Sequence, residues 1–477
     1  MIINHLAKKS NISFGTSGIR GLSKNMTFTV CHAYVTAFLM YLEEIGEINN
    51  NKNFICIAGD LRPSTKEIML FVASAIIDKN YKVLNCGNIP TPALANYGFK
   101  NNIPSIMVTG SHVPFDRNGI KFYKSSGEIL KKDEKSILFQ DVQLKKNQTI
   151  NKLPKIYLDA QELYIERYLS IFPKNCLADK KIGVYQHSAV GRDIIVKVLK
   201  ELGADVIILG RSDEFIPVDT ESIRREDVEF ALKWSEEHNL DLIVSTDGDS
   251  DRPLISDENG KWIRGDIIGI LVSDYLNADS VSTPIPSNTA LEIANEGKNI
   301  FRTKIGSPFV IESMIKSSKN YSRVVGFEAN GGFLTGSDFV INNQKLASLP
   351  TRDALLPIIV VIELSKKNRS SISKLVNSIP KRFTISDRIQ NYSASKSKHL
   401  LTKYMKLDAL NKDFSAFFGY VKNIDLTDGI RILFDSTNIL HIRPSGNAPE
   451  LRVYVESFST DKALILLKKS IEIILKN

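Results

Sequence analysis

The sequence predicts an α/β protein: three consecutive α/β domains with mixed, largely parallel sheets, followed by a smaller C-terminal α+β domain. Three observations lead there. The chain has 477 residues, too many for one core when domains usually run to roughly 100–200 residues. Three segments share a strand, helix, strand order. After about residue 370 the pattern changes to close-set alternating strands and a last amphipathic helix.

The first unit runs NFICIAGD, a helix from about Ser64 to Asp78, then YKVLNCG. The second runs KKIGVYQ, a helix from Gly191 to Leu202, then ADVIILG, and the third runs NIFRTKIG, a helix from Pro308 to about Lys316, then SRVVGFEANGG. Short β-rich runs paired with a helix of 3.6-residue period are the mark of α/β units with a mainly parallel sheet. Further on, GIRILFD, TNILHIR and ELRVYVE alternate as antiparallel strands do, and a helix from Asp461 to Lys476 follows. The expected domains are 1–152, 153–257, 258–370 and 371–477.

Composition narrows the function classes. Hydrophobic residues make up 43% and charged residues 24%, as in an ordinary folded chain. The longest apolar run, Leu355 to Leu364, holds Pro357 and Glu363 and is far shorter than the roughly 20 residues a membrane helix needs. The N-terminus lacks the order of a secretory signal, so a cytoplasmic location is expected. Four cysteines stand without a CxxC pair, which indicates neither a zinc site nor a disulfide framework; they are read as small buried residues. The formal charge is +9, but Lys and Arg are interspersed with Asp and Glu. That favours local sites for anionic small molecules over nucleic-acid binding, for which neither a basic stripe nor a stacking-aromatic motif is present.

The strongest chemical signal is LDLIVSTDGDSDRPLI. A buried-looking strand, Leu240 to Ser245, ends in Asp247, Asp249 and Asp251, which can close on one hard cation such as Mg²⁺. Ligand sites in open α/β sheets lie beyond the carboxyl ends of strands. An EF-hand is excluded, because the required glycine at position six would be Arg252 and the flanks are strands. A solvated acidic turn is the plainer alternative, and the apolar strand before the triplet argues against it.

The second motif is IPSIMVTGSHVPFDRNGIKFY. The strand Ile103 to Val108 delivers Ser111 and His112 into a loop, with a turn expected at Asn118 and Gly119 before a strand carrying Lys121. Ser111 could serve as an exposed nucleophile and His112 could handle protons. No GxSxG elbow is present, which speaks against acyl transfer. The third motif, ILHIRPSGNAPELRVYVE, gathers Arg443, Ser445, Gly446, Asn447 and Arg452 around a tight loop suited to clamping phosphate. An ordinary hairpin turn would use the same Pro, Ser, Gly and Asn. SFGTSGIRGL supplies Arg20 among glycines, without matching a dinucleotide or P-loop spacing. GFEANGGF offers Glu328 and Asn330 for sugar hydroxyls, and RTKIGSPF adds Lys304.

In this order the motifs resemble the α-D-phosphohexomutase family of phosphomannomutases, phosphoglucomutases and phosphoglucosamine mutases. TGSHVP matches the family's T-A-S-H-N-P at Thr109, Ser111, His112 and Pro114. DGDSDR matches D-G-D-G-D-R with Ser250 in place of a glycine. RPSGNAP keeps Arg443, Ser445, Gly446 and Pro449 of R-x-S-G-T-E-P. The sugar loop departs most: in place of G-E-x-S-G-H the chain has FEANGG, with Asn330 at the serine position and Gly332 at the histidine position.

The resemblance implies a phosphorylated Ser111 that exchanges its phosphoryl group with a hexose phosphate through a bisphosphate, which also serves as activator. Mg²⁺ would be held by Ser111, Asp247, Asp249 and Asp251, with Arg20, His112, Lys121 and Arg252 around the reacting phosphate. His112 and Lys121 both stand as proton handlers. Lys304, Glu328, Asn330, Arg443, Ser445, Gly446, Asn447 and Arg452 would bind substrate. Mannose phosphate is the expected sugar. Glucose or glucosamine phosphate, or an inactive sugar-phosphate sensor, are the alternatives. A monomer or homodimer is expected, with no nucleic-acid or membrane partner.

Overall fold

The structure is a computed structural model and describes residues 2–49, 53–143, 149–294, 297–445 and 450–476. It contains the expected α/β architecture, with a parallel centre in each of the first three sheets and antiparallel strands added at one side. In the first sheet Lys82–Asn88, Phe54–Gly59 and Ser105–Val108 run parallel, and Arg117–Lys124, Ile19–Leu22 and Ser13–Phe14 extend it antiparallel. The second sheet orders Asp205–Arg211, Lys181–His187 and Leu242–Thr246 in parallel, closed by antiparallel Pro253–Ile255. In the third, Ser280–Pro284 lies between Asn299–Thr303 and Val324–Phe327, all parallel, before antiparallel Phe333–Thr335 and Leu349–Asp353.

The strand-helix-strand units arise as their periodicity indicates, with helices at Thr65–Asp78, Arg192–Glu201 and Ser307–Ser317. In the third unit the two strands do not pair with one another. They flank Ser280–Pro284, whose all-buried SVSTP has too many hydroxyls to stand out as a strand. The last sheet is wholly antiparallel: Phe383–Ile389, Leu451–Ser457, Ile439–Pro444, Ile430–Phe434 and Val421–Asp425, packed by the helix Thr460–Leu475.

One apolar core runs without a break from Cys56 and Met107 in the first domain through Val184 and Leu242 in the second to Phe327 and Leu355 in the third. Tyr164 and Tyr168, on the helix Asp159–Leu169, tie it further by donating to Asp353 of the third domain. The fourth domain has a separate core around Phe414, Phe434 and Val453. Its junction with the third includes hydrogen bonds of Thr289 to Glu456 and of Asn288 Nδ2 to Arg382 O. Continuous packing makes the first three domains one unit, whereas a hydrogen-bonded junction leaves the fourth its own.

Two local expectations are corrected. Asn118 and Gly119 do not form a turn; they lie within Arg117–Lys124, opposite Gly21 and Arg20. Asn118 Nδ2 donates to Ser64 Oγ and Thr65 Oγ1, and a Cβ on Gly119 would sit 2.5 Å from Ile19 O. Both residues are chosen by close packing rather than by turning. Cys31, Cys56 and Cys86 are buried as expected, and Cys176 is only half-buried. No helix among the described residues is long and apolar enough to cross a membrane.

Candidate active site

The strand Ser105–Val108 ends in Thr109 and Gly110, and Ser111 follows with φ of +55°. A serine in the left-handed region costs about 1 kcal/mol or more unless its surroundings hold it there. Arg62 does the holding. Its guanidinium donates to the carbonyls of Ser111 (2.7 Å), Val113 (2.6 Å), Pro114 (2.7 Å) and Arg117 (2.9 Å), while Nε faces Asp60 Oδ2 at 3.2 Å. Gly110 departs from the family alanine for a visible reason: a Cβ there would lie 2.5 Å from Arg62 Cζ.

Ser111 Oγ is fully buried, donates to Asp247 Oδ2 at 2.5 Å and lies 3.3 Å from His112 Nδ1. The aspartate triplet follows Leu242–Thr246, and all three carboxylates are fully buried, each with an oxygen within 4.8 Å of the others. Lys121 Nζ donates to Asp249 Oδ2 and Asp251 Oδ2, both at 2.6 Å, and Thr91 Oγ1 to Asp249 Oδ2 at 2.5 Å. Asp249 Oδ1 and Asp251 Oδ1 are buried and accept no hydrogen bond. Orphaned carboxylate oxygens are costly unless a cation takes them. The triplet therefore fits a hard divalent ion, held through those two oxygens and Asp247.

Electrostatics point the same way. Burial, then the charges of Asp249 and Asp251, push the Asp247 carboxyl well above the usual range. Burial would raise Asp251 too, but Arg352, Lys121 and Arg252 hold it below that range. Lys121, Arg252 and Arg352 already offset Asp249 and Asp251, and Asp247 alone is forced toward neutrality, which a bound cation would reverse. Ser250 occupies a left-handed position (φ +56°), and its hydroxyl accepts from Gly191 N at 2.9 Å and Thr246 Oγ1 at 2.9 Å. This serine bonds the loop to Gly191, the N-cap of the helix Arg192–Glu201, where a glycine could not.

Arg252 Nη1 lies 3.0 Å from His112 Nδ1. An arginine can only donate, so Nδ1 is the unprotonated ring nitrogen by assignment. Burial, then Arg252 and Arg20, hold the His112 pKa well below its ordinary value, so the ring is neutral at neutral pH. Arg20 stands opposite Gly119 on Ile19–Leu22. Burial and the charges of Arg252 and Arg352 lower its pKa to about 10, still cationic, and its Nη2 is buried without a partner.

The sugar-loop side is built at the third and fourth domains. Glu328 is 4% exposed and accepts from Arg352 Nη1 at 3.0 Å. The loop is tight: Glu328 N bonds Gly332 O, Gly331 N bonds Glu328 O, and Asn330 Oδ1 accepts from Gly332 N. Asn330 thus spends one end of its amide on the turn. Glu328, Asn330, Arg443 and Arg452 line one cavity of about 50 Å³ together with Glu221 and Tyr454. Arg443 and Arg452 face each other across paired strands, and Arg443 Nε lies 3.7 Å from Asp428 Oδ2. The same carboxylate oxygen accepts from Ile305 N, bringing the exposed Lys304 loop to the clamp. Ser445 N bonds Glu450 O, and Gly446 and Asn447 lie outside the described residues.

Arg62, Arg352 and Glu128 were not singled out from sequence. Glu128, buried, accepts from Ser17 Oγ at 2.7 Å and Ser307 Oγ at 2.8 Å, joining the Arg20 segment to the third domain. Each is one charged residue in an unremarkable stretch; the signal available was a glycine where a side chain was expected, at Gly110 and Gly332.

Chemistry suited to a serine hydroxyl on a carboxylate floor that fits a cation, under several arginines, is phosphoryl transfer. On four domains in series, with a second cationic cluster at Arg443 and Arg452 beside Glu328, it defines a phosphosugar mutase. Profiles of phosphoglucomutase/phosphomannomutase α/β/α domains I, II and III match residues 11–148, 162–260 and 264–383, and that of the C-terminal domain matches 396–472. The chain belongs to the phosphoglucomutase/phosphomannomutase family. A phosphomannomutase of Salmonella muenchen is 46% identical over 461 residues, covering 95% of this chain and 94% of that protein. One of Sinorhizobium fredii is 40% identical, covering 97% and 98%. A phosphoglucosamine mutase of Thermodesulfovibrio yellowstonii is 28% identical, covering 94% and 96%. Among solved structures, a phosphoglucomutase/phosphomannomutase family protein of Burkholderia thailandensis shares the fold at a TM-score of 0.74 and 17% identity, covering 97% of each chain.

Proposed function

We propose that the chain is a phosphomannomutase that interconverts mannose 6-phosphate and mannose 1-phosphate through phosphorylated Ser111 and a hexose bisphosphate. The observation that carries this reading is 46% and 40% identity to phosphomannomutases over nearly the whole chain, with Ser111 seated on the triplet as the reaction needs. The bond from phosphorus to Ser111 Oγ breaks as a new one forms to the sugar hydroxyl oxygen. The proton of that hydroxyl passes to His112 Nδ1 once Arg252 Nη1 releases its lone pair, and from there to Ser111 Oγ, 3.3 Å away, which leaves as a hydroxyl. Lys121, gripped by two carboxylates, acts as a fixed positive charge rather than a base.

Asp247, Asp249 and Asp251, with Ser111, would hold Mg²⁺, which supplies Lewis-acid stabilisation of the phosphoryl oxygens. Arg20 and Arg252 face the transferring group. Glu328 and Asn330 accept and donate at the sugar hydroxyls. Arg443, Ser445, Gly446, Asn447, Arg452 and Lys304 hold the distant phosphate, so that the bisphosphate can return in the opposite orientation and give its other phosphoryl group back to Ser111.

A coupled assay with Mg²⁺ and catalytic hexose bisphosphate tests the reading on mannose, glucose and glucosamine 1-phosphates. Mannose phosphate is expected to have the highest kcat/KM. A higher value for glucosamine phosphate, or no turnover of any of the three, would reject it.

A further inference from the structure

The fourth domain is joined to the rest at one end of its sheet and carries the clamp at the other. At the junction Glu456 accepts from Thr289 N at 3.0 Å, and in the sheet Glu456 stands opposite Thr384 and Ile439. Arg443 lies toward the far end of the strand Ile439–Pro444, about 13 Å from Ile439 at the usual rise per residue. The cores on the two sides are separate, so a tilt of about 10° at the junction would swing the clamp by about 2 Å.

A tie at the clamp end opposes such a tilt. Asp428, half-buried, sits in the turn between Val421–Asp425 and Ile430–Phe434. Its Oδ2 accepts from Ile305 N at 3.1 Å and lies 3.7 Å from Arg443 Nε. Its carbonyl accepts from His441 Nε2 at 2.6 Å, and a Cβ on Gly429 (φ +77°) would lie 2.7 Å from Arg443 Cβ. The turn is therefore folded onto the strand that bears Arg443. On the opposite side the Lys304–Gly306 loop is anchored, because it leads into Ser307, whose Oγ donates to the buried Glu128 of the first domain at 2.8 Å.

We propose that Asp428 is a positioning residue that registers Arg443 of the fourth domain to the Lys304 loop of the third, so that both cations close on the same sugar phosphate; this rests on the mutase reading above. A carboxylate beside a phosphate opposes its binding. Any gain from Asp428 therefore comes from what it holds in place. Its one oxygen meets a backbone donor of the Lys304 loop and the side chain of the clamp arginine, which fixes their separation. Misplacing a binding group by about 1 Å can cost about 100-fold in rate, so a tie that stops a tilt of this size has a measurable effect. The same register holds the bisphosphate while it reverses. Both neighbours of Oδ2 are donors, so an asparagine would turn its amide oxygen to them and keep the tie as a weaker bond.

The test uses full-length Asp428→Ala, Asp428→Asn, Lys304→Ala and the Lys304→Ala/Asp428→Ala double variant. KM and kcat are measured on mannose 1-phosphate, together with the hexose bisphosphate concentration that gives half-maximal activation. Asp428→Ala should raise KM and the half-activating concentration about tenfold or more, as for the loss of one hydrogen bond to a charged group, with a smaller fall in kcat. A partly unfolded variant would lose kcat at unchanged KM instead. Asp428→Asn should lie between wild type and Asp428→Ala. Lys304→Ala should raise KM about tenfold in the wild-type background and less than about threefold in Asp428→Ala, where the lysine has already lost its register with the clamp.

A KM for Asp428→Ala within about threefold of wild type would overturn the proposal. So would an equal cost of Lys304→Ala in both backgrounds, or a lowered KM in both Asp428 variants, which would leave the carboxylate as a repulsive charge only. A wild type that turns over no hexose phosphate would reject the mutase reading and the proposal with it, whereas an active wild type with any of the preceding results rejects the proposal alone.

Discussion

Arg62→Met removes the side chain that holds the Ser111 loop in shape while keeping most of its apolar length. Four carbonyls of residues 111–117 lose their donor, and Asp60 loses its charged partner. A hydrogen bond to a charged group is worth about 1.5–3 kcal/mol, so the two bonds to Ser111 O and Val113 O alone stabilise the left-handed serine by about 3 kcal/mol. That exceeds the strain it offsets, and at about 1.4 kcal/mol per decade it corresponds to a fall of about 100-fold in the population of the competent loop. The expected result is a drop of that order in kcat/KM for mannose 1-phosphate, with far-UV circular dichroism preserved by the shared core of the first three domains. Arg62→Lys should recover little, because it restores a charge but not the fork. A folded Arg62→Met variant with kcat/KM within about threefold of wild type, less than one such bond is worth, would refute the reasoning.

Other consequences follow from the same geometry. Asp251→Asn should weaken Mn²⁺ binding by more than about 100-fold, the upper end of what outer-shell changes cost, measured by titration calorimetry on the resting protein. Gly332→Ala should displace Arg352, because the added Cβ meets Cδ at 2.4 Å, and KM should rise while Mn²⁺ affinity holds. Burial lowers the pKa of His187 and of His441 to about 4, against about 6.5 in the unfolded chain. The unfolded state then binds more protons between those values, so stability is highest above about pH 6.5 and falls toward pH 4, by up to about 3 kcal/mol per histidine. Calorimetric Tm at stepped pH checks this, and His441→Gln should make the slope shallower.

The fold was legible because its cause is local. Apolar runs such as FICIAG and LIVST followed by amphipathic helices can bury themselves only as α/β layers. The candidate groups were legible for a related reason: strands deliver Ser111 and Asp247 to loops at their ends, where no packing demand explains a serine or three aspartates. What the chain alone could not reveal depends on tertiary approach. Asn118 and Gly119 carry turn chemistry yet sit in a strand because Ile19 O and Thr65 Oγ1 lie against them. Arg62 finds four carbonyl partners and Arg352 two carboxylates far along the chain, and their only trace is a missing side chain, at Gly110 and at Gly332. Choosing between His112 and Lys121 needed the two carboxylates that grip the lysine, which no spacing announces.

Everything rests on Ser111 carrying the phosphoryl group, and this can be measured directly. The wild-type protein and Ser111→Ala would be incubated with phosphorus-labelled hexose bisphosphate, digested and mapped by mass spectrometry, then chased with mannose 6-phosphate. The account predicts label on the Ser111 peptide of the wild type alone, lost to sugar on the chase, and no turnover by the variant. Turnover by Ser111→Ala, or wild-type turnover with Ser111 never labelled, would contradict it.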